Sequence, residues 1–282
     1  MEIFLAKSAG FCFGVKRATQ MAFDASSKHE KIHSLGPLIH SPQVVEQLER
    51  QGVRVCKQVS EIPGGAVVVR SHGITAEEMH EIEAQHLDVI DATCPFVKKA
   101  QDFAAKLSED GYLVVLVGEA DHPEVQGIFS YAKGEAVVVT RAEEVQALPN
   151  YSKIGIVAQT TQPLENLQVI VSACLSKAKE LRVYNTICDA TTLRQREARQ
   201  IAAKVDLMLV IGGFNSANTS RLARLCEEQQ PCTHHIETAA QLQEEWFVSK
   251  ERVGITAGAS TPAWIIDEVL QRLKKISKRL AF

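Results

Sequence analysis

Asp91-Ala92-Thr93-Cys94-Pro95, taken together with Asp121-His122-Pro123-Glu124, is the stretch around which the chain is organised. The interval of 28 residues that separates Cys94 from His122 also separates Cys12 from His40 and Cys188 from Ser216. A glycine also follows each of these cysteines by 24 residues, at Gly36, Gly118 and Gly212. Three cysteines in one register indicate a threefold internal repeat whose cysteines meet at one centre.

The composition is that of an ordinary folded protein without a nucleic-acid partner. The 282 residues are 45% hydrophobic and 23% charged, which is enough apolar material for two or three small cores. The net charge is −3 and the basic residues are scattered, whereas a nucleic-acid-binding protein concentrates them on one face. Since the chain has neither a heptad repeat nor a large apolar stripe, we expect a monomer.

The sequence also indicates a compartment. No apolar run approaches the ~18 residues that a membrane span needs. The first residues, Met1-Glu2-Ile3-Phe4-Leu5, lack the basic start of a secretory signal. Seven cysteines, an odd number, fit a reducing environment better than a disulfide scaffold. We therefore expect a cytoplasmic protein with no membrane association.

Strand and helix patterns follow the same order in each repeat. Unbroken apolar runs such as Leu207–Ile211 are each followed by a helical pattern, which predicts parallel sheets covered on both faces. We expect an α/β fold of three pseudo-repeated domains with small parallel sheets, spanning residues 13–93, 94–187 and 188–282. Residues 1–12 are expected to pack with the third domain. One helix start is marked by Thr75 and Glu78, which occupy the positions of a capping box.

The combined intervals of 24 residues to a glycine and 28 residues to a histidine or serine separate three register cysteines, Cys12, Cys94 and Cys188, from the other four cysteines. Each of the three lies between a predicted strand and a predicted helix, where a helix N-terminus favours the thiolate. Three converging thiolates hold either zinc, with a histidine as the fourth ligand, or an iron–sulfur cluster. A four-iron cubane needs one ligand per iron, so three cysteines leave one iron open as a Lewis acid. Structural zinc usually uses close cysteine pairs, which this chain lacks, and this favours the cluster.

Small polar groups follow the ends of the predicted strands and indicate an anionic ligand. They are His40, His72, His122, Thr160, Ser216, Asn218 and Ser260. Parallel sheets bind ligands beyond these strand ends, and the helix N-termini beside them offer N–H groups to an anion. Neither a phosphate-binding loop of nucleotide-hydrolysing enzymes nor a dinucleotide fingerprint is present. Glu124 is the carboxylate at these positions, and it acts either as a proton donor or as a cap of the following helix.

Eight short motifs resemble those of the LytB-type 4-hydroxy-3-methylbut-2-enyl diphosphate reductases, the last enzymes of the non-mevalonate isoprenoid pathway. They cover nearly the whole chain in the order of the family, and together they are highly specific. The motifs are Gly10-Phe11-Cys12 with Gly14-Val15, Ser71-His72-Gly73, Asp91-Ala92-Thr93-Cys94-Pro95, His122-Pro123-Glu124-Val125, Gln159-Thr160-Thr161, Cys188-Asp189-Ala190-Thr191, Asn215-Ser216-Ala217-Asn218 and Thr256-Ala257-Gly258-Ala259-Ser260.

This resemblance implies three α/β domains arranged around a central iron–sulfur cluster. It implies one 4Fe-4S cluster with an open iron, bound by Cys12, Cys94 and Cys188, and it implies Glu124 as the proton source. It also implies a substrate diphosphate held by His40, His72, His122, Thr160, Ser216, Ala217, Asn218 and Ser260. Many members of the family have a serine where this chain has Ala217, so only the backbone N–H is left for that contact.

The resemblance further implies the reductive dehydroxylation of 4-hydroxy-3-methylbut-2-enyl diphosphate to isopentenyl and dimethylallyl diphosphate. A ferredoxin or flavodoxin is the implied electron donor. One alternative is another three-cysteine iron–sulfur (de)hydratase of the quinolinate-synthase type, although its carboxylate substrate would be expected to draw on arginine. A zinc-stabilised binding protein and a pure electron carrier are two others, and an electron carrier would not need the anion-binding groups.

Overall fold

The structure, a computed structural model, describes residues 1–280, in which short strands alternate with helices. The strands are β1 (Glu2–Leu5), β2 (Ile32–Leu35), β3 (Val53–Cys56), β4 (Ala66–Val69), β5 (Asp88–Asp91), β6 (Leu113–Val117), β7 (Ala136–Val139), β8 (Tyr151–Ala158), β9 (Ala178–Val183), β10 (Leu207–Ile211), β11 (Thr233–Ile236) and β12 (Arg252–Ala257). The helices are α1 (Phe13–Ser26), α2 (Pro42–Arg50), α3 (Ala76–Ala84), α4 (Pro95–Glu109), α5 (Pro123–Ser130), α6 (Ala142–Gln146), α7 (Leu164–Leu175), α8 (Asp189–Ala202), α9 (Ala217–Glu227) and α10 (Ala263–Leu280). Residues 281 and 282, the end of the predicted third domain, lie outside the described residues.

The strands form three four-stranded sheets with one common topology. The strand orders are β1-β12-β10-β11, β5-β4-β2-β3 and β9-β8-β6-β7, and every pair is parallel. In each sheet the edge strand that precedes one of the three register cysteines pairs with the third strand of the repeat. The predicted α/β fold with three small parallel sheets is thus confirmed.

The apolar composition of the inner strands explains why they are central. Every residue of β4, β6 and β10 is buried, and each of these strands consists of Ala, Val, Leu, Ile or Met. Strands that are apolar on both faces need helices on both sides, which is the arrangement that parallel crossover connections produce. The centre of β8 requires glycine, because a Cβ on Gly155 would lie 2.5 Å from Leu107 of α4. The helix therefore packs directly against the backbone of the strand.

Local signals set where several helices begin. The capping box predicted before α3 is present: the Thr75 hydroxyl accepts the backbone N–H of Glu78, and the Glu78 carboxylate accepts the backbone N–H of Thr75. Pro95 and Pro123 occupy the first positions of α4 and α5, where a residue without an N–H costs nothing. These starts fix the residues just before them, Cys94 and His122, at helix N-termini.

The contacts of the described chain divide it into two units. The first unit comprises Met1–Lys16, Ile39–Glu46 and the described chain from Asp189 onward, and it contains the sheet of β1. The second unit comprises Arg17–Leu38 and Gln47–Cys188, and it contains the other two sheets. The division into three domains at the boundaries given above stays a prediction. Among residues 1–280, no helix combines the length and the apolar character that crossing a bilayer demands.

Candidate functional site

The three register cysteines occupy equivalent places in the fold. Each stands immediately before a helix: Cys12 before α1, Cys94 before α4 and Cys188 before α8. Each backbone N–H donates to the carbonyl of the second residue after the third strand of a repeat, in the pairs Cys12 and Ala259 at 3.1 Å, Cys94 and Ser71 at 3.0 Å, and Cys188 and Thr160 at 3.0 Å. One hydrogen bond, repeated three times, therefore fixes each cysteine to the carboxyl end of a central strand.

The environment of these thiols suits iron–sulfur ligands. All three are partly exposed, and the backbone N–H of Val15 donates to the sulfur of Cys12 at 3.5 Å. An N–H aimed at a sulfur stabilises negative charge on it, which both a metal-bound thiolate and a cluster require. Two cysteines outside the register contrast with them, since burial raises the pKa of Cys174 to about 11 and that of Cys226 to about 12. Those two are protonated packing residues.

Glu124 lies buried in the second unit, and Thr160 holds its carboxylate. Its side chain is 2% exposed. The backbone N–H of Thr160 donates to Oε1 of Glu124 at 2.6 Å, and the hydroxyl of Thr160 lies 3.0 Å from Oε2. Because the carbonyl of Thr160 also accepts the N–H of Cys188, one residue links the buried carboxylate to a register cysteine.

Two histidines of the second unit are linked to Glu124 through its backbone. His122 caps α5, where its Nδ1 accepts the backbone N–H of Glu124 at 3.1 Å. In the neutral ring the proton then resides on Nε2, which leaves that nitrogen as a donor. The ring of His72 lies edge-on to that of His122, with 5.6 Å between centroids. His72 follows Ser71, whose carbonyl holds Cys94. The predicted residues of the second unit thus form one continuous series of contacts.

The first unit gathers its own predicted residues in the same way. The hydroxyl of Ser260 donates to the carbonyl of His40 at 3.1 Å, and Ser260 directly follows Ala259, which holds Cys12. The same His40 carbonyl lies 2.9 Å from the position that a Cβ would take on Gly213, so that glycine lets the backbones approach. Gly213 in turn accepts the N–H of Ser216 through its carbonyl at 3.1 Å.

The start of α9 presents backbone and side-chain donors. Ser216 is 3% exposed, and its hydroxyl accepts the N–H of Thr219 at 3.3 Å, which caps the helix. Ala217 and Asn218 are the first two residues of α9, so their N–H groups have no partner within the helix. Nδ2 of Asn218 is buried without a hydrogen-bond partner among the described residues. A donor of this kind, beside a helix N-terminus, suits an anion.

The strand ends also refine the predicted register. His40, His122 and Ser216 each stand five residues after the first strand of their repeat. His72 and Ser260 stand three residues after a third strand, and the residue in that place in the second repeat is Thr161. Thr160 stands two residues after its strand, in the place of Ser71 and Ala259. Sequence analysis missed these two cysteine-holding residues, although their fixed distance from an apolar strand could have identified them.

Comparison with known proteins gives a full-length match. A family model described as LytB protein matches residues 3–274. Two proteins named 4-hydroxy-3-methylbut-2-enyl diphosphate reductase are similar to this chain over its length. The one from Syntrophotalea carbinolica is 62% identical to this chain, and the one from Geobacter sulfurreducens is 59% identical. Each match covers 99% of this chain, and 100% and 99% of the two relatives respectively.

Two solved structures agree with this match. One is of (E)-4-hydroxy-3-methyl-but-2-enyl diphosphate reductase, described as the terminal enzyme of the non-mevalonate pathway, and it is 44% identical. Its TM-score is 0.73, with 98% of this chain and 100% of that chain covered. The other is the E-1-hydroxy-2-methyl-but-2-enyl-4-diphosphate reductase from Plasmodium falciparum, 25% identical, with a TM-score of 0.91 and coverage of 97% and 87%. The chain belongs to the LytB family.

Proposed function

We propose that the protein catalyses the reductive dehydroxylation of 4-hydroxy-3-methylbut-2-enyl diphosphate to isopentenyl and dimethylallyl diphosphate. The observation that carries this proposal is the 62% identity, over 99% of the chain, to a protein named as that reductase. The buried residue Glu124 supports it, because its backbone N–H contacts His122, His122 contacts His72, and the reaction needs a proton donor next to an anion site. The quinolinate-synthase-type alternative has no comparable support, since the relatives that match over their full length carry the reductase name.

Cys12, Cys94 and Cys188 would hold one 4Fe-4S cluster, with three cysteine ligands and one open iron. Their equivalent places before helices, their partial exposure and the N–H that donates to Cys12 Sγ all fit this role. When bound, such a cluster supplies stored electrons and a Lewis acid at one place. The cysteines of the register are thus the metal ligands, and the remaining four are packing residues.

The substrate diphosphate would be held by neutral donors rather than by lysine or arginine. The proposed set is His40, His72, His122, Thr160, Ser216, Ala217, Asn218 and Ser260. In the second unit, Nδ1 of His122 accepts the backbone N–H of Glu124, so the donor that His122 would offer the diphosphate is Nε2. In the first unit, the opening N–H groups of α9 and Nδ2 of Asn218 are suited to phosphate oxygens. Anchoring the diphosphate positions the distant hydroxyl of the substrate for reaction.

Glu124 would supply the proton that the departing hydroxyl needs. Oε1 accepts the backbone N–H of Thr160 and Oε2 accepts its hydroxyl, so both oxygens of the carboxyl group are held in place. The C–O bond breaks as two electrons enter from the external donor, and the hydroxyl takes one proton and leaves as water. A second proton adds to either end of the allyl group, which gives the two products. Two electrons and two protons balance the reaction.

We also propose a one-electron protein donor, a ferredoxin or flavodoxin, and a monomeric enzyme of the cytoplasm. The chain has no sequence motif for a flavin or nicotinamide, so its electrons must come from another protein. The seven cysteines, all within the described range, form no disulfide with one another, in keeping with a reducing compartment.

Anaerobic purification followed by iron, sulfide and zinc analysis tests the metal centre. We expect about four irons and four sulfides per chain, together with a visible spectrum that bleaches in air. Stoichiometric zinc without sulfide would support the zinc-stabilised binding protein instead. Product analysis with a reduced donor then tests the reaction, with the allylic diphosphate and the quinolinate-synthase substrates supplied in parallel. Formation of isopentenyl and dimethylallyl diphosphate supports the proposal, and turnover of the other substrates alone refutes it.

A further inference from the structure

The loop that leads from β1 to Cys12 is held by a carboxylate of α8. Glu197 accepts the backbone N–H of Lys7 at 2.8 Å and that of Ser8 at 2.9 Å, and it accepts the Ser8 hydroxyl at 2.5 Å. Burial alone would raise the pKa of Glu197, but these hydrogen bonds outweigh it and the pKa is lowered. Glu197 is therefore ionised, and both of its carboxylate oxygens accept hydrogen bonds from the loop.

An arginine one turn earlier on α8 holds the other side of the same loop. Arg194 is 3% exposed, and its guanidinium donates to the carbonyls of Ser8, Gly10 at 3.0 Å and Ala257 at 2.8 Å. Ala257 ends the central strand β12. The planar guanidinium therefore connects the Cys12 loop to the end of β12. Ala259, which accepts the N–H of Cys12, lies two residues after that strand end.

Burying a guanidinium is costly, and an apolar side chain would fill the same space at a lower cost. Backbone carbonyls of the Cys12 loop and its supporting strand accept hydrogen bonds from Arg194 and so compensate for this cost. Gly10, with φ of +95°, makes the turn just before the cysteine. Arg194 and Glu197 thus determine the path of the backbone that enters Cys12.

A second arginine makes a comparable contact in the second unit. The Arg17 guanidinium donates to the carbonyl of Thr93 at 3.1 Å, and Thr93 is the residue immediately before Cys94. Arg17 belongs to α1, a helix that begins directly after a register cysteine, as α8 does. Two of the three register cysteines, Cys12 and Cys94, are therefore preceded by a loop that an arginine holds. In both, the arginine belongs to the helix that begins after a different register cysteine.

We propose that Arg194 and Glu197 are positioning residues that hold the Cys12 thiol in the orientation needed for cluster binding. The inference rests on the proposed role of Cys12 as a ligand. Groups that orient metal ligands typically contribute about 10- to 100-fold to metal affinity, although they never touch the metal. A substitution that loosens the loop should therefore change the orientation and reactivity of the Cys12 thiol. The thiols of the other two register cysteines should keep their reactivity.

The test compares Arg194→Met with Arg196→Met, a matched change at an exposed arginine of the same helix. The iron is removed anaerobically with a chelator, and the apo-protein is treated with iodoacetamide. Peptide mass spectrometry then follows alkylation at each cysteine. We expect Cys12 to react about tenfold faster in Arg194→Met than in Arg196→Met, while Cys94 and Cys188 react at equal rates in both. The holoprotein of Arg194→Met should also lose iron and sulfide faster.

Glu197→Gln keeps the inference testable if Arg194→Met does not fold. The amide replaces one acceptor oxygen with a donor that faces N–H groups, and Glu197 is only partly buried, so this variant is expected to fold. It should give the same selective increase at Cys12. Unchanged alkylation of Cys12, or an equal increase at all three cysteines, would overturn the inference. Absence of iron and sulfide in the wild-type protein would instead refute the proposed function, because the alkylation pattern is measured without the cluster.

Discussion

Thr160 holds Glu124 by two groups at once: its backbone N–H lies 2.6 Å from Oε1, and its hydroxyl lies 3.0 Å from Oε2. The same residue accepts the N–H of Cys188 through its carbonyl at 3.0 Å. The carboxylate therefore cannot move without disturbing the backbone that enters a register cysteine. Such coupling would keep the proposed proton donor fixed relative to the proposed metal ligand Cys188.

Glu124→Gln is expected to keep the protein folded and the metal centre loaded but to abolish most turnover. The amide oxygen can still accept the Thr160 N–H, and the amide nitrogen can donate to the Thr160 hydroxyl, so the geometry survives without the acidic proton. General acid catalysis contributes about 10²- to 10⁴-fold. Anaerobic turnover with a reduced chemical donor measures the loss, with the exposed Glu135→Gln as control. Near-normal turnover in Glu124→Gln would contradict the proton role.

Thr160→Val and Thr160→Ser separate the hydroxyl from the backbone contact. Valine keeps the N–H that reaches Oε1 but loses the hydroxyl beside Oε2, whereas serine keeps both. A hydrogen bond to a charged group is worth about 1.5–3 kcal/mol, which corresponds to a loss of about 10- to 100-fold in rate. We expect kcat to fall and KM to rise in the valine variant, because Thr160 also belongs to the proposed diphosphate set, while serine retains both values. An unchanged kcat in the valine variant would contradict a role of the hydroxyl in holding Glu124 for proton transfer.

The central strands could be predicted from sequence, but two edge strands could not. Leu207–Ile211 is apolar at every position and buried at every position, so its composition alone identifies it. Asp88–Asp91 and Ala178–Val183 carry charged residues and are largely exposed or half-buried. They become strands because they pair with β4 and β8, which is a tertiary effect. Local patterns therefore identify what each sheet buries, and they miss the two polar strands that precede Cys94 and Cys188.

The same limit applies to the candidate site. The repeated interval placed His40, His122 and Ser216 at strand ends correctly, because intervals within a repeat are preserved when each repeat folds alike. The contact of Thr160 with Glu124 spans 36 residues, and that of Arg194 with Ser8 spans 186. No local pattern encodes such pairings, so the residues that support the site emerge only from the folded structure.

Replacement of any register cysteine by serine is expected to remove the cluster. Cys12→Ser, Cys94→Ser and Cys188→Ser should each lack most iron and sulfide after anaerobic purification, since an alcohol is a poor substitute for a thiolate ligand. Cys226→Ala is the matched control, because Cys226 is fully buried in an apolar core and burial raises its pKa to about 12. Full metal content in a register variant, or its loss in Cys226→Ala, would contradict the assignment.

The buried thiols also predict how stability depends on alkaline pH. Burial raises the pKa of Cys174 to about 11 and of Cys226 to about 12, from an ordinary value of 9.0. Between pH 9 and these values the unfolded chain releases thiol protons that the folded chain retains, so stability falls as pH rises. Each thiol contributes at most about 1.4 kcal/mol per pH unit. Urea unfolding of the apo-protein between pH 8 and pH 10.5 measures the slope, which should be shallower for Cys226→Ala than for the wild type. Equal slopes in the two proteins would mean that Cys226 does not retain its proton in the folded state.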